Sequence, residues 1–228
     1  MDDYGIQIFN VANEDAREEG TFIITNIDNA ISKSDNMNLE LRIVDFLLRN
    51  KKAPTIHHLS ESLQEHYSLV HGAVGRLAAQ GVVARERVGR SLLCSLNLSN
   101  EKTFALLQLA EIERRDAFLS KSRELKLVFN DLLDSLRPQI RKILAVVLYG
   151  SRAKGSAAQS SDIDVLLISR GELEVEKATR SVYAKYGKVL APVVMTAADF
   201  RRQKDKALVQ EIVRDHYVLY GAENFVRL

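Results

Sequence analysis

The chain has 228 residues, of which 46% are hydrophobic and 27% charged, and its formal net charge at pH 7 is +2. These values are typical of a globular protein of one or two domains. The nearly balanced charge excludes a large nucleic-acid footprint over the whole molecule, so any such surface would have to be local.

Three further features of the sequence indicate in which compartment the protein works and whether it contacts a membrane. No apolar run approaches the ~18 residues that cross a bilayer. The acidic start Met1-Asp2-Asp3 has no signal-peptide pattern. The sequence has one cysteine, Cys94, which excludes an intramolecular disulfide and suits a reducing compartment. We therefore expect a cytoplasmic protein without a membrane partner.

The first region with a clear pattern is 37–100, since the segment 1–36 shows none to which we can assign a fold or function. Leu39, Ile43 and Phe46 recur at helical spacing. Pro54-Thr55 predicts the N-cap of a second helix, and Ser68 the cap of a third. Two strand-like stretches, 82–87 and 91–96, flank a Gly89-Arg90 turn. The region is therefore predicted to form three helices followed by a β-hairpin.

This order of elements resembles a winged helix-turn-helix domain, a common DNA-binding module of prokaryotic regulators. The resemblance implies that the third helix enters the major groove while the hairpin contacts the DNA backbone. Three arginines against Glu86 give the hairpin a local positive charge suited to phosphates. The predicted DNA contacts are Ser68, His71 and Arg76 on the third helix and Arg85, Arg87 and Arg90 on the hairpin. The alternative is a module for protein contacts.

The region 101–142 is predicted to be an almost continuous helical connector. In its first half Phe104, Leu107 and Ile112 line one side, which would suit either a homodimer seam or packing within the chain. In its second half an apolar stripe from Leu125 to Leu136 is predicted to pack against the domain that follows.

The stretch 143–169 carries the residues on which the functional interpretation depends. An apolar, β-branched strand ends at Gly150-Ser151, where glycine permits close approach of a ligand and free N–H groups can bind phosphate. A second apolar strand opens with Asp162 and Asp164, which share one face because side chains alternate. Neighbouring carboxylates repel unless a cation lies between them, and a hard divalent ion, Mg²⁺ or Mn²⁺, meets that need.

The chain has a Gly-Ser turn at Gly150-Ser151, then ten residues, and then the pair Asp162-x-Asp164. This pattern resembles the DNA polymerase β-type nucleotidyltransferases, and most closely their minimal prokaryotic branch. The resemblance implies that the Gly-Ser turn holds a nucleoside triphosphate and that the two aspartates hold metal ions. Arg152 and Lys154 would help to neutralise the triphosphate, or would be solvated turn residues. It also implies a possible toxin–antitoxin setting with a partner toxin.

Together these interpretations predict an α+β multidomain protein. Its parts are a winged helix-turn-helix domain at 37–100, a helical connector at 101–142, and an α/β nucleotidyltransferase-fold domain with a small mixed sheet at 143–228.

One departure from the family pattern leaves two hypotheses open. The family has a third acidic residue on its third strand, whereas 189–195 contains none, and Pro192 indicates an edge strand. An acid from elsewhere in the chain, such as Asp199 or Glu211, would complete the metal site only if the fold brought it there, and Asp199 lies beyond the strand. In the first, the protein binds a nucleoside triphosphate with Mg²⁺ and transfers a nucleoside monophosphate to a hydroxyl acceptor, coupled to a DNA-binding winged helix domain. In the second, it is a DNA-binding regulator with a degenerate nucleotidyltransferase-like domain that senses nucleotide or serves as a dimerisation scaffold. The two hypotheses are compatible in one chain.

Overall fold

The computed structural model describes residues 37–50 and 52–228, so the unassigned segment 1–36 lies outside it. The N-terminal part follows the predicted order of three helices and a hairpin. Phe46, Leu59 and Leu77 are fully buried in its core. Its elements are α1 (Leu39–Arg49), α2 (Ile56–Leu63), α3 (Tyr67–Ala79), β1 (Val83–Val88) and the antiparallel β2 (Ser91–Leu96).

The N-termini of α2 and α3 can be compared with the N-caps that the sequence predicted. The Thr55 hydroxyl accepts a hydrogen bond from the His58 N–H at 3.1 Å, which confirms Thr55 as an N-cap. The predicted cap at Ser68 is wrong, because α3 begins at Tyr67 and His66 precedes it. The His66 carbonyl accepts from the backbone N–H groups of Leu69 and Val70, so the chain is already helical at Ser68.

The connector is two helices rather than one, α4 (Glu101–Ser120) and α5 (Arg123–Leu136), followed by a 3₁₀ turn (Arg137–Lys142). Ser122 interrupts the helix because its hydroxyl caps α5, accepting from the Leu125 N–H at 3.2 Å. The residues predicted for a dimer seam, Phe104, Leu107 and Ile112, pack within the chain. Leu107 is fully buried there and Phe104 and Ile112 are partly buried, which favours packing within the chain, while the possible homodimer stays a prediction.

A four-stranded mixed sheet with strand order β5-β4-β3-β6 forms the centre of the C-terminal part. β4 and β5 are parallel, while β3 pairs antiparallel with both β4 and β6. β5, which contains Pro192, lies at the edge as the sequence indicated. The strands are β3 (Ile143–Leu148), β4 (Ile163–Ser169), β5 (Leu190–Thr196) and β6 (Tyr217–Tyr220).

Helices cover both faces of this sheet. The apolar stripe of α5, including Val128, Phe129 and Leu132, packs on one face as predicted. Val209 and Ile212 pack on the other. The remaining helices are α6 (Gly150–Lys154), α7 (Glu176–Tyr186), α8 (Ala197–Arg202), α9 (Ala207–Arg214) and α10 (Ala222–Phe225). Among the helices described here, none combines the length and apolarity that a bilayer crossing requires.

Candidate active site

The Gly-Ser turn and the second aspartate lie in direct contact. Gly150 has φ = +73°, which favours glycine. A Cβ atom added there would lie 2.1 Å from Oδ2 of Asp164 and 2.9 Å from its Cγ. The missing side chain at Gly150 therefore lets the Asp164 carboxylate lie against the backbone of the turn.

The two aspartates flank a fully buried residue at the start of β4. Ile163 packs on the face covered by α5, and Asp164 is half-buried in the same strand. Asp162 precedes the strand and is exposed. Since side chains alternate along a strand, Asp164 lies on the face that carries Leu166, where α9 packs.

The electrostatics at Asp164 show that several negative groups lie close together. Burial first, and then the negative charges of Asp162 and Glu211, raise the pKa of Asp164, while Arg152 opposes them. A divalent cation bound by these oxygens would relieve that repulsion. The donor set thus fits Mg²⁺ or Mn²⁺, although no three acidic, histidine or cysteine side chains within the described ranges are already arranged to hold a metal ion.

The two basic residues after the turn have different partners. The Arg152 guanidinium donates to the backbone carbonyls of Ser161 and Asp162, the latter at 3.2 Å, so it fixes the loop in front of the aspartates. The Lys154 ammonium pairs with Glu211 Oε1 at 2.7 Å. Ser151, between the turn and these residues, is half-exposed.

β5, which corresponds to the third strand of the family pattern, places no acidic side chain beside Asp164. In the parallel register Asp164 faces Ala191, and the next pair is Val165 with Pro192. Asp199 is engaged elsewhere, since it accepts from the Thr196 hydroxyl at 2.6 Å and pairs with Arg202. The Thr196 hydrogen bond first, with the charge of Arg202, lowers the pKa of Asp199.

Tyr149 is a residue of this site that the motif did not single out. Burial, and then the charges of Asp164 and Glu211, raise the pKa of its phenol. Its position directly before the Gly-Ser turn is the signal by which the sequence could have found it.

The residues predicted to contact DNA lie on the surface of the N-terminal part. Arg85 and Arg87 are exposed along β1, and Arg90 is exposed in the turn after it. On α3, Ser68 and His71 are exposed. Arg76, on the same helix, donates to Glu40 Oε1 at 2.6 Å and stays largely exposed.

Comparison with known families identifies the C-terminal part. The model of the family "Polymerase beta, Nucleotidyltransferase" matches residues 130–224, which include the turn and both aspartates. This part of the chain is a nucleotidyltransferase domain of the polymerase β type. The resemblance that the motif suggested is thereby confirmed, and the match begins within α5, ahead of the predicted boundary at residue 143.

Two curated proteins of Methanocaldococcus jannaschii are similar to this nucleotidyltransferase domain. One is 22% identical over 111 residues, covering 43% of this chain and 76% of the relative. The other is 26% identical over 104 residues, covering 45% of this chain and 100% of the relative. Both are named as candidate protein adenylyltransferases. Their similarity to this chain extends over less than half of it.

Two solved structures are similar to part of this chain. One is a toxin–antitoxin with AMP-PNP, which is 21% identical, has a TM-score of 0.34, and is matched over 43% of this chain and 77% of its own. The other is MepR, a transcription regulator of Staphylococcus aureus, which is 16% identical, has a TM-score of 0.32, and is matched over 51% of this chain and 90% of its own. TM-scores below 0.5 do not establish a shared overall fold.

Proposed function

We propose that the nucleotidyltransferase domain transfers a nucleoside monophosphate from a nucleoside triphosphate to a hydroxyl acceptor, with Mg²⁺ or Mn²⁺ as cofactor. The observation that supports this most is the contact between the Asp164 carboxylate and the Gly150 turn. It brings a predicted metal ligand and a predicted phosphate-binding turn to one place, within a domain of this family.

Five side chains of the site have a role in this reaction. Asp162 and Asp164 hold the divalent ion, which when bound neutralises negative charge on the triphosphate. The Ser151 hydroxyl and Lys154 bind phosphate oxygens, and Arg152 keeps the loop before Asp162 in place. The acceptor oxygen forms a bond to the α-phosphorus while the bond to the leaving pyrophosphate breaks, and the hydroxyl proton passes to solvent or to a carboxylate.

The acceptor that we propose is a protein hydroxyl, with ATP as the donor. The names of the two Methanocaldococcus relatives, candidate protein adenylyltransferases, support this choice. A partner toxin, which the motif resemblance implies, is one such protein acceptor.

The test measures metal-dependent nucleotide binding and then transfer. We expect the wild type to bind ATP together with Mn²⁺, and Asp164→Asn to weaken this binding at least ~100-fold, since even changes around metal ligands cost 10–100-fold. Asp134→Asn is the matched control, because Asp134 is an exposed aspartate of α5 that pairs with Arg137. ATP labelled at the α-phosphate then reports transfer to protein. Equal binding and transfer by wild type and Asp164→Asn would contradict the proposal.

A second candidate function is regulation through DNA, as a winged helix-turn-helix domain at 37–100 coupled to the nucleotidyltransferase domain. It is favoured by the hairpin, whose Arg85, Arg87 and Arg90 are all exposed and available to phosphates. The order of α1, α2, α3 and the hairpin also fits such a domain.

The DNA hypothesis predicts a specific salt dependence. Replacing Arg85, Arg87 and Arg90 together with alanine should reduce the slope of log affinity against log salt by about 3, at about 0.9 for each lost phosphate contact. Fluorescence anisotropy with duplex DNA measures that slope. The control replaces Arg137, Arg180 and Arg202, which are exposed elsewhere. Duplex binding whose affinity depends neither on the salt concentration nor on the three arginine substitutions in the hairpin would argue against this function.

A further inference from the structure

The loop 155–161 leads from α6 to Asp162, so its conformation decides where that aspartate lies. No residue of this loop is buried, and side-chain packing therefore does little to hold it. Within the loop, the Ser161 hydroxyl accepts a hydrogen bond from the Ala158 N–H at 3.0 Å. The Ser156 N–H donates to the Ser151 carbonyl at 3.0 Å. Fixing the loop to the domain requires polar contacts from other elements.

Arg152 provides one contact, at the end of the loop. Its guanidinium donates to the carbonyls of Ser161 and Asp162. Because Arg152 lies on α6, directly before the loop, these bonds close the segment 150–162 on itself. They do not attach the loop to the helices and strands around it.

Lys188 provides the contact with a distant part of the domain. Its ammonium donates to the Gln159 carbonyl at 3.4 Å and lies 3.5 Å from Oε1 of Glu124 on α5. Only 15% of the Lys188 side chain is exposed, although lysine is normally a surface residue. An ammonium that loses much of its hydration needs polar partners, and the loop carbonyl is one of the two that Lys188 has.

The chain path brings Lys188 to the edge of the sheet where the aspartates lie. Gly187, with φ = +63°, ends α7, and Lys188 follows it just before β5. The Val189 carbonyl accepts from the Ile163 N–H at 2.9 Å, so the residue after Lys188 is bonded to the residue after Asp162. The Glu124 contact shows that Lys188 approaches from the face covered by α5. Asp164 lies on the opposite face, and Lys188 therefore supports the loop from behind.

Resting on the proposed nucleotidyl transfer, we propose that Lys188 is a positioning residue for Asp162. It fastens the loop 155–161 to α5 and to the start of β5, so that Asp162 lies beside Asp164 before the nucleotide arrives. A loop that is already ordered does not have to lose conformational freedom on binding. Groups that hold metal ligands in place affect metal affinity by 10–100-fold.

Hydrogen exchange and Mn²⁺ binding test this role without requiring catalysis. In full-length, metal-free Lys188→Met, which loses the ammonium but keeps an apolar stem, we expect the amides of 156–162 to exchange faster. The affinity for Mn²⁺ with a non-hydrolysable ATP analogue should fall about 10-fold. Lys188→Arg should recover part of both losses, because it keeps a cationic donor. Lys185→Met, which removes an exposed lysine paired with Asp131 on α5, is the matched control and should behave as the wild type.

The possible results separate the two proposals. If the folded wild type did not bind the analogue with Mn²⁺, the proposed function would fail, while the exchange of the metal-free loop would still report its attachment. Lys188→Met with unchanged loop exchange would overturn the positioning role, whatever its Mn²⁺ affinity. Faster exchange with wild-type Mn²⁺ affinity would also overturn it, because the attachment would then not affect Asp162. Thermal unfolding verifies that each variant is folded, and Lys188→Gln replaces Lys188→Met if the latter is not.

Discussion

At the scale of single residues, the site depends on the absence of a side chain at Gly150. The glycine adopts φ = +73°, and its Cα faces the Asp164 carboxylate so closely that a Cβ would overlap it. Gly155, five residues on, has the same φ of +73° but open space around it. The two glycines therefore separate the cost of an unfavourable backbone conformation from the cost of the contact.

Gly155→Ala should lower the free energy of unfolding by about 1–2 kcal/mol, the cost of a left-handed conformation for alanine. Gly150→Ala should lose the same amount plus about 1–3 kcal/mol for the overlap, and should also weaken Mn²⁺–nucleotide binding because Asp164 must move. Urea unfolding and nucleotide titration measure both effects. Similar losses for the two variants would show that the contact between Gly150 and Asp164 contributes nothing.

At the scale of elements, α1, α4 and the start of β6 meet around buried charges. Arg49 on α1 donates to Asp45 and to Glu111 of α4, both at 2.8 Å. His216 Nε2 lies 3.2 Å from Glu111. Burial acts to raise the pKa of Glu111, but the charges and hydrogen bonds of His216 and Arg49 outweigh it and hold that pKa at about 2.

This depressed pKa makes stability depend on pH in a defined direction. The unfolded Glu111 takes up a proton near its ordinary pKa of 4.5, whereas the folded one resists protonation until about pH 2. The stabilisation is therefore complete above about pH 4.5 and decreases as the pH falls towards 2. Burial raises the pKa of Asp45, so its contribution has the opposite sign and is lost as pH rises.

Glu111→Gln removes this titration. The free-energy advantage of wild type over Glu111→Gln should shrink by up to about 3 kcal/mol as the pH is lowered from 5.5 towards 2. Urea unfolding at several pH values measures the difference. Asp116→Asn, an exposed change on the same helix, should give a difference that does not vary with pH. If the difference in free energy of unfolding between wild type and Glu111→Gln did not vary with pH, the predicted link between the Glu111 pKa and stability would be refuted.

At the scale of the whole molecule, the same cluster joins the N-terminal part to the nucleotidyltransferase domain. Arg49 contacts Glu111 on the connector and the Arg214 carbonyl at the end of α9. Phe118 of α4 stacks on Tyr217 of β6 with ring centroids 4.1 Å apart. These contacts, of which the one between Arg49 and Glu111 is fully buried, predict that the two parts unfold as one cooperative unit.

Arg49→Ala should destabilise the protein and make the unfolding of its two parts less cooperative. It leaves two buried carboxylates without their main partner, which costs about 3–5 kcal/mol. Differential scanning calorimetry should show one transition for the wild type, and a lower and broader or divided transition for the variant. Arg180→Ala, which removes an exposed pair with Glu176, should change stability by no more than about 0.5 kcal/mol. An unchanged transition in Arg49→Ala would exclude the joining role.

Local patterns by themselves determined much of this protein. The alternation along β4 predicted that Ile163 and the aspartates point to opposite faces, and Pro192 predicted an edge strand. The Thr55 cap and the order of three helices and a hairpin were also predicted correctly. Each of these features depends on periodicity or hydrogen bonding between residues close in the chain, which the sequence displays directly.

Only the tertiary structure decided the contacts between distant segments. It placed Glu211 beside a turn more than 50 residues earlier in the chain, and it brought Arg49 and His216 to the same buried cluster. It also covered Leu107, which the sequence had offered for a dimer seam. Burial and electrostatic interaction depend on which surfaces pack together, and no local spacing of residue types carries that information.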